Sequence, residues 1–459
     1  MKTSVLLVAV SLISAFTIAA CSDDDPGGPS GSSAIPAGGA TTVFVANSHA
    51  FSIPAPNLGA TNLALHLDGD LQFETEFVAA PTDLQGGLGP VFNSNSCISC
   101  HVRDGRGRPP FAGERAQQML LRVSVPGIGA DGGPNPADGF GRQFFDKSIF
   151  GVEPYGEFLV DWIEESGMFE DGTAYSLRRP EIRITSSYRP LPGNLLISPR
   201  VPPGVFGTGL LEALSESTIR SFADPNDRDG NGISGRVNEV RNDRTGQIEI
   251  GRFGWKANTP TLEQQTAAAY LNDMGITSPY YPIESSAGTG RDDGVEDDPE
   301  IDSDILLSAT RYVQTLGVPA RRNVDDPEVQ RGEILFSSIG CAGCHRPEMT
   351  TGVLDDVPEV SNQKIAPYTD LLLHDMGPGL ADNRPDFLAS GQEWRTPPLW
   401  GIGLTYLVNG HTFFLHDGRA RSISEAILWH GGEAAATQER YRMLSASERD
   451  DLIAFVRSL

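Results

Sequence analysis

The chain has 459 residues, with 60 acidic against 35 basic side chains and a formal net charge of −25. That charge argues against nucleic acid as a ligand, and an anionic membrane surface would repel the body of the protein. Hydrophobic residues make up 39%, enough for a folded core, and the length exceeds one ordinary core, which suggests two domains.

In chain order, Lys2 precedes an uncharged, mostly apolar run from Ser4 to Ala20 that ends in Ile18-Ala19-Ala20-Cys21. The run is short for a membrane span and reads as a secretory signal over residues 1–20. Its end resembles the bacterial lipobox, which implies a lipidated Cys21 and a membrane anchor at a bacterial cell envelope, facing the periplasm or exterior. Acyl chains bury about 0.8 kcal/mol per methylene, so such an anchor holds. The other reading is ordinary cleavage with Cys21 left free. Residues 21–40 are rich in Ser, Asp, Gly, Pro and Ala and read as a flexible tether.

Four further cysteines fall in two pairs, each followed by histidine: Cys97-Ile98-Ser99-Cys100-His101 and Cys341-Ala342-Gly343-Cys344-His345. This is the attachment pattern of haem c. Two thiols one helical turn apart add to the two vinyl groups, and the next residue reaches the iron. His101 and His345 are thus expected as proximal ligands of two haems c. The alternatives are a redox dithiol or half a zinc site.

Between the motifs, residues 41–320 are expected to form an N-terminal haem domain. An insertion of hairpins and loops over about 115–245 includes strand-like runs at Met119 to Val125 and Glu181 to Thr185. Asp227, Asp229 and Asn231 alternate around glycines as in a calcium loop, but the twelfth position is Asn238. An Asx-rich turn is the competing reading. Helix is expected from Leu262 to Asn272, capped by Thr261, then an acidic solvated loop over 284–300 and a helix from Ile301 to Leu316. Asp326-Pro327 starts another helix carrying Val329, Gly332 and Phe336 at helical spacing. Ser445 to Glu448 is a capping box opening a helix with Leu452, Phe455, Val456 and Leu459 on one face. Residues 325–459 are therefore expected to form a C-terminal cytochrome c domain. The fold class expected is mainly α: two cytochrome c-like haem domains, the first enlarged by the insertion.

Over nearly all of 85–459 the sequence resembles the dihaem oxidoreductases (thiol oxidoreductase-like), relatives of the bacterial dihaem cytochrome c peroxidases. The likeness lies in Cys97 to Pro110, Phe253-Gly254-Trp255-Lys256-Ala257 through Asp273-Met274-Gly275, Pro367 to Asp382, and Glu393 to Glu433. It implies His430 as sixth ligand opposite His345, with His374 and Met376 as rivals and a structural or propionate-contacting role for His430 as a further alternative. It implies Trp255 between the haems, and Gln265 and Asp273 as the amide and carboxylate of a distal pocket, the alternative being a helix on which Gln265 and Asp273 are merely solvated. The carboxylate is one methylene shorter and two residues nearer than in the peroxidases. His416, in His416-Asp417-Gly418-Arg419, is expected beside the C-terminal haem, touching propionate or assisting transfer. Arg103, Arg106 and Arg108 are candidates at the N-terminal haem, or simply an exposed basic loop.

Between His101 and His345 there is no histidine, so the detachable ligand of the inhibited-resting peroxidases has no counterpart. The N-terminal iron is expected to be open, unless His49 or His66 reaches it. The resemblance implies peroxidase-like reduction of hydrogen peroxide or a related oxidant, with electrons from a small cytochrome c or cupredoxin. An electron-transfer protein without its own substrate and a protein-oxidising dihaem enzyme are the alternatives.

Overall fold

The computed structural model describes residues 36–82, 85–291, 294–296 and 298–459; the signal, Cys21 and most of the expected tether lie outside them. Helices form at the expected starts, although Asp326 makes no capping hydrogen bond and the helix expected from Ile301 begins at Ser303. Thr261 accepts from the Gln264 amide and opens the cavity helix, Leu262–Met274, which Gly275 ends in a left-handed conformation (φ 72°). Asp302 caps Ser303–Thr315, and Ser445 with Glu448 closes a full capping box on Ala446–Ser458.

Two helix pairs are set by glycines. A Cβ at Gly69, in Ala60–Glu74, would lie 2.0 Å from the Ser308 carbonyl oxygen, and one at Gly332, in Pro327–Ser338, 2.0 Å from that of Asp451. Only glycine lets these backbones meet. Leu452, Phe455 and Val456 are buried against the second pair as the spacing predicts, each worth about 1.5–3 kcal/mol of transfer energy.

The expected fold class is overturned. The chain is 29% helix and 19% strand, spread over many small sheets, and is not a mainly-α pair of cytochrome c-like domains. Leu120–Ile128 pairs with Leu196–Arg200, Gln143–Phe144 and Pro134–Asn135. Gly156–Met168 and Ala174–Ser187 form a long antiparallel hairpin, whose turn reaches the C-terminal helices through Asp171 and Arg449, 2.8 Å apart. The largest apolar cluster joins Phe51, Phe73, Leu210 and Tyr312 to Met349, Ile365, Leu371 and Trp400. It therefore draws on both sides of the expected boundary near 320. Thr42–Val43 also pairs with Val318–Pro319, in parallel.

Candidate functional site

Both cysteine motifs open onto one cavity of about 730 Å³. Cys97–Cys100 is a single helical turn closed by the His101 amide on the Cys97 carbonyl, 2.9 Å; Cys341–Gly343 is a 3-10 turn, and the His345 amide bonds to Cys341 O at 3.0 Å. His101 Nδ1 donates to Pro203 O (2.8 Å) and His345 Nδ1 to Tyr368 O (2.9 Å). A carbonyl on Nδ1 fixes the tautomer and leaves Nε2 as the free ligand atom. Burial lowers both imidazoles to about 4, keeping them neutral. Burial also pushes the Cys97 and Cys341 thiols up to about 12 and Cys100 to about 11.

The two motifs differ in what faces the histidine. Ser422 caps the short helix Ile423–Leu428 by accepting from the Glu425 amide, and just beyond it His430 Nδ1 donates to Ala426 O at 2.7 Å. The His345 and His430 ring centres are 6.5 Å apart. An iron held by two imidazoles, each bond about 2 Å and each ring centre roughly 1 Å behind its nitrogen, would set the centres about 6 Å apart. The gap therefore fits one iron. The rival His374 has both ring nitrogens occupied, by Asp370 Oδ2 (2.9 Å) and Glu433 Oε2 (2.7 Å). Burial alone would lower it, but its hydrogen bonds to Asp370, Cys344 and Glu433 outweigh that and hold it up at about 12. Cys344, Asp370 and His374 have the spacing of a metal cluster, yet this imidazole has no free nitrogen to give. Met376 packs on the apolar cluster around Trp429.

No such partner faces His101. All eight histidines are described, and His411, outside the cavity lining, donates through Nε2 to Arg106 O (3.2 Å). His49 is exposed, and His66 is bonded through Nδ1 to Thr315 Oγ1 (2.8 Å); neither lines the cavity. His416 stacks on Trp394, ring centres 3.6 Å apart, and is lowered to about 4 by burial. Met119 and Met274 reach the wall but pack into apolar clusters.

On the cavity helix, Gln265, Ala269 and Asp273 follow at four-residue intervals and all line the cavity. At 1.5 Å per residue, Gln265 and Asp273 stand roughly 12 Å apart at Cα, with the small Ala269 between them. Asp273 Oδ1 accepts from Gln143 Nε2 at 2.9 Å. Burial raises its carboxyl, and Arg122 and Gln143 offset only part of the rise. Trp255 is buried, donates from Nε1 to Val201 O (2.8 Å), and packs in the cluster of the second motif. Arg106 lies 5.6 Å from the Trp255 ring and 5.5 Å from Phe414. Of the three candidate arginines only Arg106 lines the cavity; Arg103 bonds to Val408 O, and Arg108 pairs with Glu114.

The structure draws Asp227, Asp229 and Asn231 into one turn. Their side-chain oxygens accept from the amides of Gly232, Asn231 and Ile233 respectively, so the turn is satisfied by its own backbone. Asn238, in the twelfth position, is buried and donates to Lys256 O and Asp386 O. Sequence reasoning missed Gln143 and Arg122. The only signal was an arginine in the apolar strand Leu120–Ile128.

The family model described as "Di-haem oxidoreductase, putative peroxidase" matches residues 32–127 and 132–459. The chain belongs to this family. Membership implies haem cofactors, and both motifs of this di-haem oxidoreductase lie inside the matched residues. No curated protein matches the sequence. Among solved structures, Kuenenia stuttgartiensis hydrazine synthase pressurised with xenon is similar at 13% identity over 100% of both chains, with a TM-score of 0.37, too low to carry an argument.

Proposed function

We infer that this oxidoreductase holds two haems c and divides the work between them. The site of Cys97, Cys100 and His101 takes an oxidant, with hydrogen peroxide the best candidate. The site of Cys341, Cys344, His345 and His430 passes electrons to it. The carrying observation is the asymmetry: one histidine faces another at 6.5 Å, whereas His101 faces none. A closed six-coordinate site suits electron transfer, and an open one suits ligand binding.

When bound, the haems supply the electrons and the point where the oxidant sits. The chain's own residues supply the rest. Reducing peroxide to two waters takes two electrons and two protons. Asp273, its carboxyl raised by burial, is suited to hold a proton and deliver it to a departing oxygen. Gln265 lines the same cavity, one turn from Ala269, and would orient the oxidant. Trp255 and Arg106, 5.6 Å apart in the cavity wall, would stand between the two haems and keep water out. A small cytochrome or cupredoxin with a basic face suits the acidic chain as donor. A lipid on Cys21 would keep the enzyme at the cell envelope; among the described residues no helix is long and apolar enough to cross a membrane.

Electron paramagnetic resonance of the oxidised protein tests this reading. One low-spin and one high-spin haem in equal amounts is expected, the high-spin signal changing on addition of peroxide or cyanide. Two low-spin haems indifferent to both would leave only electron carriage.

A further inference from the structure

Under the strand layer the cavity wall carries more positive charge than its own carboxylates balance. In Leu120–Ile128, Leu121 and Val123 are fully buried in the strand-layer core, while Leu120 and Arg122 turn into the cavity. Arg200 and Arg384 line the same lobe, with Lys256 behind them. Lys256 Nζ lies 2.9 Å from Asp382 Oδ1, Arg384 lies 3.1 Å from Asp386, and Arg200 lies 3.4 Å from Asp386 and 3.9 Å from Asp382. Three cations thus share two carboxylates. Arg122 adds a fourth; the carboxylates of Asp273 and Asp386 act on it at longer range, but its guanidinium makes no hydrogen bond or ion pair with either. Gln143, its partner across the strand pair, is turned to Asp273 instead. At the outer rim Arg142 is already paired with Asp131, both partly exposed. A cation in a cavity wall that no carboxylate touches is costly, and guanidinium matches a carboxylate in shape as well as sign.

We propose that Arg122 is the anchor of an anion site in this lobe, built to receive a carboxylate or a similar oxyanion. The inference rests on reading the Cys97–His101 motif as a haem site. The carboxylate has two possible sources: a propionate of that haem, or an anionic substrate admitted past the Asp131–Arg142 rim.

The test uses full-length haem-loaded protein as wild type, Arg122→Gln and Arg122→Lys. Acetate and formate are titrated by calorimetry at constant ionic strength, and the midpoint potential and propionate Raman modes of the N-terminal haem are recorded. Charge-assisted bonds carry the site, so a free-anion site should bind acetate or formate in wild type and about tenfold or more weakly in Arg122→Gln, with Arg122→Lys between. A propionate site should instead leave wild type blind to both anions. Arg122→Gln should then shift the propionate mode and lower the potential, because a cation that favours the reduced haem is gone. If neither binding, mode nor potential responds to either variant while both haems and the high-spin signal persist, the anion site is refuted. Loss of the haems or of the high-spin signal from wild type would count against the underlying haem reading instead.

Discussion

Replacing His430 by alanine removes one of the two imidazoles that stand 6.5 Å apart across the second motif. The methyl group left behind ends several ångströms short of the gap, and nothing nearby replaces the lost nitrogen. His374 is held by two carboxylates, and His416 is stacked on Trp394. The fold should survive, because the loss is one hydrogen bond to Ala426 O, about 1 kcal/mol, plus the packing of one ring. The whole C-terminal haem should therefore pass from low to high spin. In an oxidised sample the high-spin share should rise from one haem in two to both, with the N-terminal signal unchanged. His430→Met should restore a low-spin site at higher potential, since methionine ligation raises it. The assay is resonance spectroscopy with haem quantification on the same sample. A folded, fully loaded His430→Ala protein that keeps its low-spin signal would refute the pairing and return Met376 or His374 to consideration.

Asp273→Asn keeps the shape of the side chain but not its proton; peroxide turnover should fall by about 10² to 10⁴ with both haems attached, and an unchanged rate would remove Asp273 from the chemistry. Trp255→Phe should slow electron exchange between the haems in flash-reduction experiments while leaving the first reaction with peroxide intact. Gly332→Val should destabilise the C-terminal helix pair by about 1–3 kcal/mol in thermal unfolding, since its Cβ would meet the Asp451 carbonyl. Asp104 is raised from 3.8 to about 7 by burial, which its bonds to Ser52 and Tyr312 only partly oppose. The folded state then binds more protons than the unfolded one between about pH 4 and 7, so this residue's contribution to stability falls as pH rises through that window, by up to about 1.4 kcal/mol per unit. Denaturation curves of Asp104→Asn should lack that component, and identical slopes in both proteins would count against it.

The motifs were legible because their chemistry is local: cysteine, cysteine and histidine within one turn declare an attachment point without any knowledge of the fold. The helix starts at Thr261 and Ser445 were legible for the same reason, since a cap is satisfied within three residues. The fold class was not. Many of the strands are two residues long, as at Thr42–Val43, Gln143–Phe144 and Lys364–Ile365, too short to show alternation, and Thr42–Val43 finds its partner only at Val318–Pro319. The resemblance implied His430 over His374, but the residues alone carried no physical reason for the choice. It depends on Glu433 folding back onto His374, and on which nitrogen each ring spends on the backbone. Arg122 and Gln143 became visible only when strand pairing set them beside Asp273.

Arg106 bears on how Trp255 could serve between the haems. Its guanidinium, 5.6 Å from the indole, donates to Leu415 O and feels the Asp417 carboxylate only at longer range, with no hydrogen bond or ion pair to it. A cation beside an aromatic ring stabilises the neutral ring through its quadrupole, and in a low-dielectric interior it opposes removal of an electron from that ring. On the proposed two-haem reading, Trp255 is thus better suited to carry coupling through its packed ring than to hold an oxidising equivalent itself. That favours a peroxide-reducing role, in which electrons move inward, over one that oxidises a partner protein through a tryptophan radical.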